Sequence, residues 1–300
     1  MNKIVLNEIK ELYASFDKTN SMYEKGYIAS FFDYLKNVVP DDVYINDMCN
    51  KINKKLKFYD LDYIVHLLKR RDDTKKFIKN TKTFIKQNID DYERRVNVRS
   101  DKLIPLNNDN ISYILDEFLK SLDMDIYNYY HKLGEEGRIL YSNDNNTAFT
   151  SLYNSNMVIF IEKLSNLEDV LVFVHELGHA YYFNLNNERV IERENIATEI
   201  KDEIPSKLME TKFIKFLEDN HIFEQAIILQ DLFDSIIYEC SHKRDDYDDL
   251  KYLIGADIAF KLKDVELDIT EYFKHVYKSD IYTLISEKNN KKTWGKILVK

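Results

Sequence analysis

Apolar side chains recur every three or four positions over the first 133 residues, which is the spacing of helices that bury one face. The pattern breaks near Pro40 and again in the stretch 100–110 around Pro105. We take the second break as a boundary and predict a helical N-terminal region at 1–105 and a second domain at 106–300. The predicted helical stripes lie at residues 4–16, 27–35, 61–68, 77–89 and 111–122.

A different pattern begins near residue 134, where short apolar runs alternate with polar turns. Such runs are typical of short strands, and a polar turn of three residues joins the second run to the third. Together they predict a small antiparallel β-sheet. The predicted strands lie at residues 138–141, 148–153 and 157–161.

The chain then returns to helical spacing. The segment Ser165-Asn166-Leu167-Glu168 has the sequence of a capping box, so we predict that a helix begins there and continues to about Asn184. Helical periodicity resumes near Ile196 and continues, with interruptions, to about Ile285. The predicted fold class is therefore mainly α with a small antiparallel sheet.

Composition narrows the classes of protein that fit. Hydrophobic residues make up 44% of the chain, enough for a sizeable core, and a net charge of −9 argues against a nucleic-acid binder. Its first residues lack the apolar core of a signal peptide, and the longest apolar runs are too short for a membrane span. Two distant cysteines, Cys49 and Cys240, do not form a disulfide framework. We therefore expect a cytoplasmic protein that binds neither nucleic acid nor membrane.

One motif within the helix predicted after Ser165 carries chemistry. The segment His175-Glu176-Leu177-Gly178-His179 contains His-Glu-x-x-His. On a helix the two histidines lie one turn apart on the same face, so both imidazoles can bind one metal ion. Glu176 lies beside that face and can take a proton from a water that the metal activates. The motif predicts metal-assisted hydrolysis, with Zn²⁺ as the cofactor.

A catalytic zinc site needs a third protein ligand, and the next helix offers two candidates. Glu199 lies twenty residues after His179, and Glu203 lies twenty-four after it. Because the two glutamates are themselves one helical turn apart, spacing alone does not separate them.

A family resemblance bears on this choice. His175-Glu176-Leu177-Gly178-His179-Ala180, together with Glu203-Ile204-Pro205-Ser206-Lys207-Leu208-Met209-Glu210, resembles the two helical motifs of the oligopeptidase F and thimet oligopeptidase family. The resemblance implies a zincin catalytic core of the gluzincin type, one zinc ion per chain and peptide substrates. It also implies that Glu203 is the third ligand, and that Glu210 orients a ligand histidine.

The resemblance extends on both sides of these motifs, over about residues 134–257. Upstream it implies an edge strand that pairs with the substrate backbone. Downstream, 241–255 resembles the family's Tyr-x-Tyr-Lys-Tyr-x-x-Gly region, where phenol or imidazole donors bind the developing oxyanion. Tyr252 matches best, whereas Tyr247 is offset and His242 is the nearby histidine. The predicted substrate strand includes Asn154, Met157, Val158 and Ile159.

Family members are about twice as long as this chain, and its first 130 residues match them only in being helical. The leading hypothesis is a zinc metalloendopeptidase that hydrolyses oligopeptides, with Glu176 as the base. The alternative is a peptidase homologue with weak or no activity that binds peptides or proteins. A third hypothesis is a zincin that cleaves folded proteins, as a processing enzyme or toxin does.

Overall fold

The computed structural model describes residues 3–56, 73, 75–77, 79, 102–142, 148–153, 156–187, 195–242 and 247–287. The predicted stripes at 61–68 and 77–89 lie almost entirely outside these ranges. The N-terminal helices are α1 (Lys3–Phe16), α2 (Met22–Val38) and α3 (Val43–Leu56). The later helices are α4 (Asn108–Leu122), α5 (Met124–Glu135), α6 (Leu167–Asn186), α7 (Ile196–Asp219), α8 (Phe223–His242), α9 (Tyr247–Leu262), α10 (Ile269–Lys278) and α11 (Ile281–Glu287).

Between α5 and α6 the chain forms a small sheet of β1 (Ile139–Ser142), β2 (Ala148–Tyr153) and β3 (Asn156–Glu162). The order is β1-β3-β2, so β3 is central and β2 is an edge strand. β2 pairs with β3 antiparallel, whereas β1 pairs with β3 parallel. The predicted antiparallel sheet is therefore wrong for one of the two pairs. β2 runs opposite to both β1 and β3, and β3 lies between the other two strands.

The central strand separates two apolar cores. Successive side chains of a strand point to opposite faces, and β3 is apolar on both. Val158 and Phe160 pack with the helices α1, α2 and α3. The other face of β3 packs with the later helices, through Met157, Ile159 and Ile161. No helix within the described ranges is both long enough and apolar enough to cross a membrane.

Helix α6 begins one residue later than its capping box predicts. Asn166, not Ser165, is the N-cap, and its side chain accepts hydrogen bonds from the backbone N–H groups of Glu168 and Asp169. The Asp169 carboxylate reaches back and accepts bonds from the backbone N–H and hydroxyl of Ser165. At the other end, Asn187 takes a left-handed conformation with φ of 51°, a common way for a helix to stop.

Two glycines allow the helices around the motif to approach closely. A Cβ on Gly178 of α6 would lie 2.9 Å from the Cα of Ser206 on α7. A Cβ on Gly255 of α9 would lie 2.9 Å from the Cβ of Glu203, also on α7. Helix α7 is therefore in backbone-level contact with α6 on one side and α9 on the other.

Candidate metal centre

The two motif histidines converge on one point at the contact between α6 and α7. His175 and His179 lie one turn apart, and their Nε2 atoms are 3.1 Å from each other. Glu203 completes the group from α7, with its Oε2 atom 3.6 Å from His175 Nε2 and 3.7 Å from His179 Nε2. These three residues form a cluster that could hold a metal ion.

The geometry of this cluster fits zinc. Ligand atoms about 2.0–2.2 Å from a tetrahedral zinc lie roughly 3.3–3.6 Å from one another. The three observed separations bracket that range, and two imidazoles with one carboxylate form a ligand set that catalytic zinc uses. In addition, Glu203 Oε2 is buried and accepts no hydrogen bond from the described residues. An acceptor left in that state is costly unless a cation balances it.

The competing ligand, Glu199, is engaged elsewhere. The hydroxyl of Tyr23, on α2, donates a hydrogen bond of 2.5 Å to Glu199 Oε1. Glu199 is absent from the metal-ligating cluster found among the described residues, whereas Glu203 belongs to it. Of the two candidates left open by spacing, the geometry favours Glu203.

Glu176 is buried beside the cluster and is held by the edge strand. The Thr150 hydroxyl lies 2.7 Å from Glu176 Oε2 and 2.8 Å from the Glu176 carbonyl oxygen, and can donate to either. Burial raises the pKa of Glu176; nearby His175 and the Thr150 hydrogen bond oppose this shift, and Glu203 adds to it. A carboxyl group whose pKa lies above its ordinary value is suited to taking up and releasing a proton near neutral pH.

Glu210 and Lys207 lie behind His175. Glu210 Oε1 is 2.5 Å from His175 Nδ1 and 2.7 Å from the buried Lys207 Nζ. Burial favours the neutral form of Glu210, but Lys207 and His175 outweigh it and lower the pKa of this carboxyl group. With Nδ1 bonded to a carboxylate, His175 directs Nε2 toward the cluster. This contact supports the role that the resemblance implied for Glu210.

The predicted oxyanion donors can be placed only in part. Tyr252, half-buried on α9, has its ring centroid 6.4 Å from that of His175. The ammonium groups of Lys251 and Lys207 lie over its ring, 4.9 Å and 5.2 Å from the centroid. The side chains of His242 and Tyr247 lie outside the described part of the chain.

The predicted substrate strand is wrong for two of its residues. Val158 and Ile159 lie in the central strand. Ile159 has β1 on one side and β2 on the other, and the backbone groups of Val158 point toward its partner on β2, so neither residue can pair with an added peptide. Met157 pairs with β2 and is buried. Asn154 lies outside the described residues. The edge strand beside the cluster is β2, which carries Thr150.

Sequence reasoning missed several polar residues of the site. Lys251 Nζ lies 3.4 Å from Glu203 Oε1 and leaves Oε2 facing the histidines. Lys207 lies inside the motif 203–210 and Lys251 inside the stretch 241–255, both of which were compared with the family, so their position was an available signal. Thr150 and Tyr23 had no local signal, because their partners are 26 and 176 residues away.

No protein family, curated protein or solved structure matches this chain.

Proposed function

We propose that this chain is a zinc-dependent metalloendopeptidase that hydrolyses peptide bonds in oligopeptides. The observation that carries the proposal is the convergence of His175, His179 and Glu203 within 4.8 Å, with the Glu176 carboxylate held beside them. The proposal includes a zincin core of the gluzincin type and the relationship to oligopeptidase F that the two motifs suggested. We also propose a reducing, cytoplasmic location, which the two free cysteines support.

Zinc held by His175, His179 and Glu203 would act as a Lewis acid for the scissile carbonyl and lower the pKa of a water molecule. The Glu176 carboxylate takes a proton from the attacking water and delivers it to the nitrogen of the leaving amine. Thr150 orients that carboxylate through its hydroxyl. Glu210 holds His175 so that Nε2 faces the zinc position.

Tyr252 is the best-placed described candidate for stabilising the oxyanion. Its ring lies beside His175, and the two lysine ammonium groups over the ring add positive charge on this side of the cluster. A donor fixed at that place before reaction stabilises the charge that develops on the carbonyl oxygen. The peptide itself would lie along the edge strand β2, close to Glu176.

The test is peptide cleavage by the zinc-loaded protein, with a library of internally quenched fluorescent peptides. We expect wild type to cleave members of the library and Glu176→Gln to lose about 10²–10⁴-fold in rate while still binding zinc. Glu199→Gln is the matched control, because it changes a nearby glutamate outside the cluster, and it should keep most of the activity. Zinc binding and peptide binding with no cleavage in wild type would overturn the enzyme and support the peptide-binding alternative.

A further inference from the structure

One face of α2 carries three tyrosines that contact the elements beside the metal cluster from the N-terminal region. Tyr23, Tyr27 and Tyr34 are spaced four and seven residues apart, so they lie along the same side of the helix. Tyr23 binds Glu199 on α7, and the Tyr27 hydroxyl donates to the Thr150 carbonyl oxygen at 3.2 Å. The helix therefore contacts both elements that flank the cluster, the edge strand β2 and the ligand helix α7.

The pairing pattern shows which groups of β2 point away from the sheet. The Ile159 N–H donates to the Arg138 carbonyl on the β1 side of β3. In an antiparallel pair, opposed residues alternate between exchanging hydrogen bonds and directing both groups outward. Thr150 is opposite Ile159, so its N–H and C=O point to the outer edge of β2. By the same alternation, the neighbouring outward-facing residues are Ala148, opposite Ile161, and Leu152, opposite Met157.

Tyr27 therefore occupies an acceptor that a peptide adding to this edge would otherwise use. It is a fixed neighbour of the strand, because its ring lies beside Phe149 with a centroid distance of 5.7 Å. Tyr34 stacks on the same Phe149 ring at 4.7 Å, and Phe31 packs edge-on against Phe160 at 5.3 Å. Opening this contact would expose aromatic surface on both elements, so the packing holds α2 against the sheet.

We propose that Tyr27 fixes the register in which a peptide pairs with β2, by occupying the Thr150 carbonyl and leaving Ala148 and Leu152, two residues away on either side, as the nearest backbone partners. This inference rests on the proposed peptidase function and specifies how its substrate binds. Because Thr150 also holds Glu176, the cleaved bond lies opposite the position at which backbone pairing is blocked. The substrate residue facing Thr150 then needs no N–H group, so N-methylated residues and proline are accepted there.

The experiment scans one cleavable peptide with an N-methyl group placed at each backbone nitrogen in turn. Affinity is measured by fluorescence anisotropy on zinc-loaded Glu176→Gln, and cleavage is measured on wild type. In the protein with native Tyr27 we expect two sensitive positions four residues apart, facing Ala148 and Leu152, where methylation weakens binding about threefold to tenfold. In Tyr27→Leu, a third sensitive position should appear midway between them, at the residue facing Thr150, since outward groups of a strand recur with period two.

Tyr23→Phe is the matched control, because it removes a hydroxyl from the same helix without touching β2, and it should keep the insensitive position between the two sensitive ones. If Tyr27→Leu does not fold, Tyr27→Phe replaces it in the test, because it removes only the hydroxyl that bonds to Thr150. A sensitive midway position before Tyr27 is changed, no sensitive position at all, or the same pattern in every variant would each overturn the inference. If wild type cleaves no peptide, the proposed peptidase function is contradicted. The binding of N-methylated peptides to Glu176→Gln tests the register independently of cleavage.

Discussion

Gly255 lies so close to Glu203 that a Cβ on the glycine would come within 2.9 Å of the Glu203 Cβ and 3.0 Å of its carbonyl carbon. The candidate zinc ligand therefore has the backbone of α9 directly behind it. Gly178 produces the same closeness between α6 and α7, where the histidines are. The ligand set depends on two glycines that themselves bind nothing.

Replacing Gly255 with alanine should displace Glu203. The added Cβ meets backbone and a Cβ, which cannot rotate away, so we expect a loss of about 1–3 kcal/mol in the free energy of unfolding and weaker zinc binding. Urea unfolding and zinc titration measure the two effects. Gly134→Ala is the control, because nothing lies within 4 Å of its added Cβ, and it should be neutral or slightly stabilising. Equal effects of the two substitutions would contradict this role for Gly255.

Thr150→Val removes the hydroxyl that holds Glu176 while keeping the shape of the side chain. A hydrogen bond to a charged group contributes about 1.5–3 kcal/mol, so the turnover rate should fall by about tenfold or more. Zinc affinity should stay unchanged, because Thr150 contacts no member of the ligand cluster. Thr150→Ser, which retains the hydroxyl, should recover most of the rate, and an equal loss in both variants would argue against the hydrogen bond.

Lys207→Met leaves the buried Glu210 carboxylate without its cation. Removing one partner of a buried ion pair costs about 3 kcal/mol or more in the free energy of unfolding. Because Glu210 orients the ligand His175, we also expect zinc affinity to fall about 10–100-fold. The double variant Lys207→Met/Glu210→Gln removes both charges and should be more stable than Lys207→Met alone. A double-variant cycle by urea unfolding measures the coupling, and additive effects would show that the pair is not energetically coupled.

Lys212 makes stability depend on pH at alkaline values. Burial lowers its pKa from 10.5 to about 8, while its Nζ donates to the carbonyl oxygens of Lys263 and Val265. Below about pH 8 Lys212 is protonated in both the folded and the unfolded state, so burying its charge lowers the free energy of unfolding by the full amount. Between about pH 8 and 10.5 the unfolded state binds more protons, so this group makes the folded state more stable as pH rises.

The stability of wild type relative to Lys212→Met should therefore increase between about pH 7 and pH 9.5. Urea unfolding of both proteins at each pH measures the difference, in which the other titrating groups cancel. A difference that stays constant or falls with pH would contradict the lowered pKa of Lys212.

The parts of the site that lie close in sequence were predictable. The spacing of His175 and His179 fixes their common face on any helix, and the strong apolar periodicity around them predicts that helix. The helix boundary was one residue off, because Asn166 competes with Ser165 for the capping position and both residue types cap well.

The long-range parts were not predictable from spacing. Glu199 and Glu203 share a helix face, and the choice between them depends on Tyr23, which lies 176 residues before Glu199. The order of the sheet depends on which side of β3 the first strand joins, and local apolar patterns do not encode this. For that reason Val158 and Ile159 were expected at an edge and are found in the centre.

The most direct test of the central claim is a zinc titration of wild type, Glu203→Gln and Glu199→Gln, with X-ray absorption at the zinc edge of the loaded protein. We predict one zinc per wild-type chain, with two imidazole nitrogens and a carboxylate oxygen as protein ligands. Glu203→Gln should weaken binding by more than about 100-fold, whereas Glu199→Gln should bind as wild type does. A wild-type chain that binds no zinc, or loss of binding in Glu199→Gln but not in Glu203→Gln, would contradict the proposed metal centre.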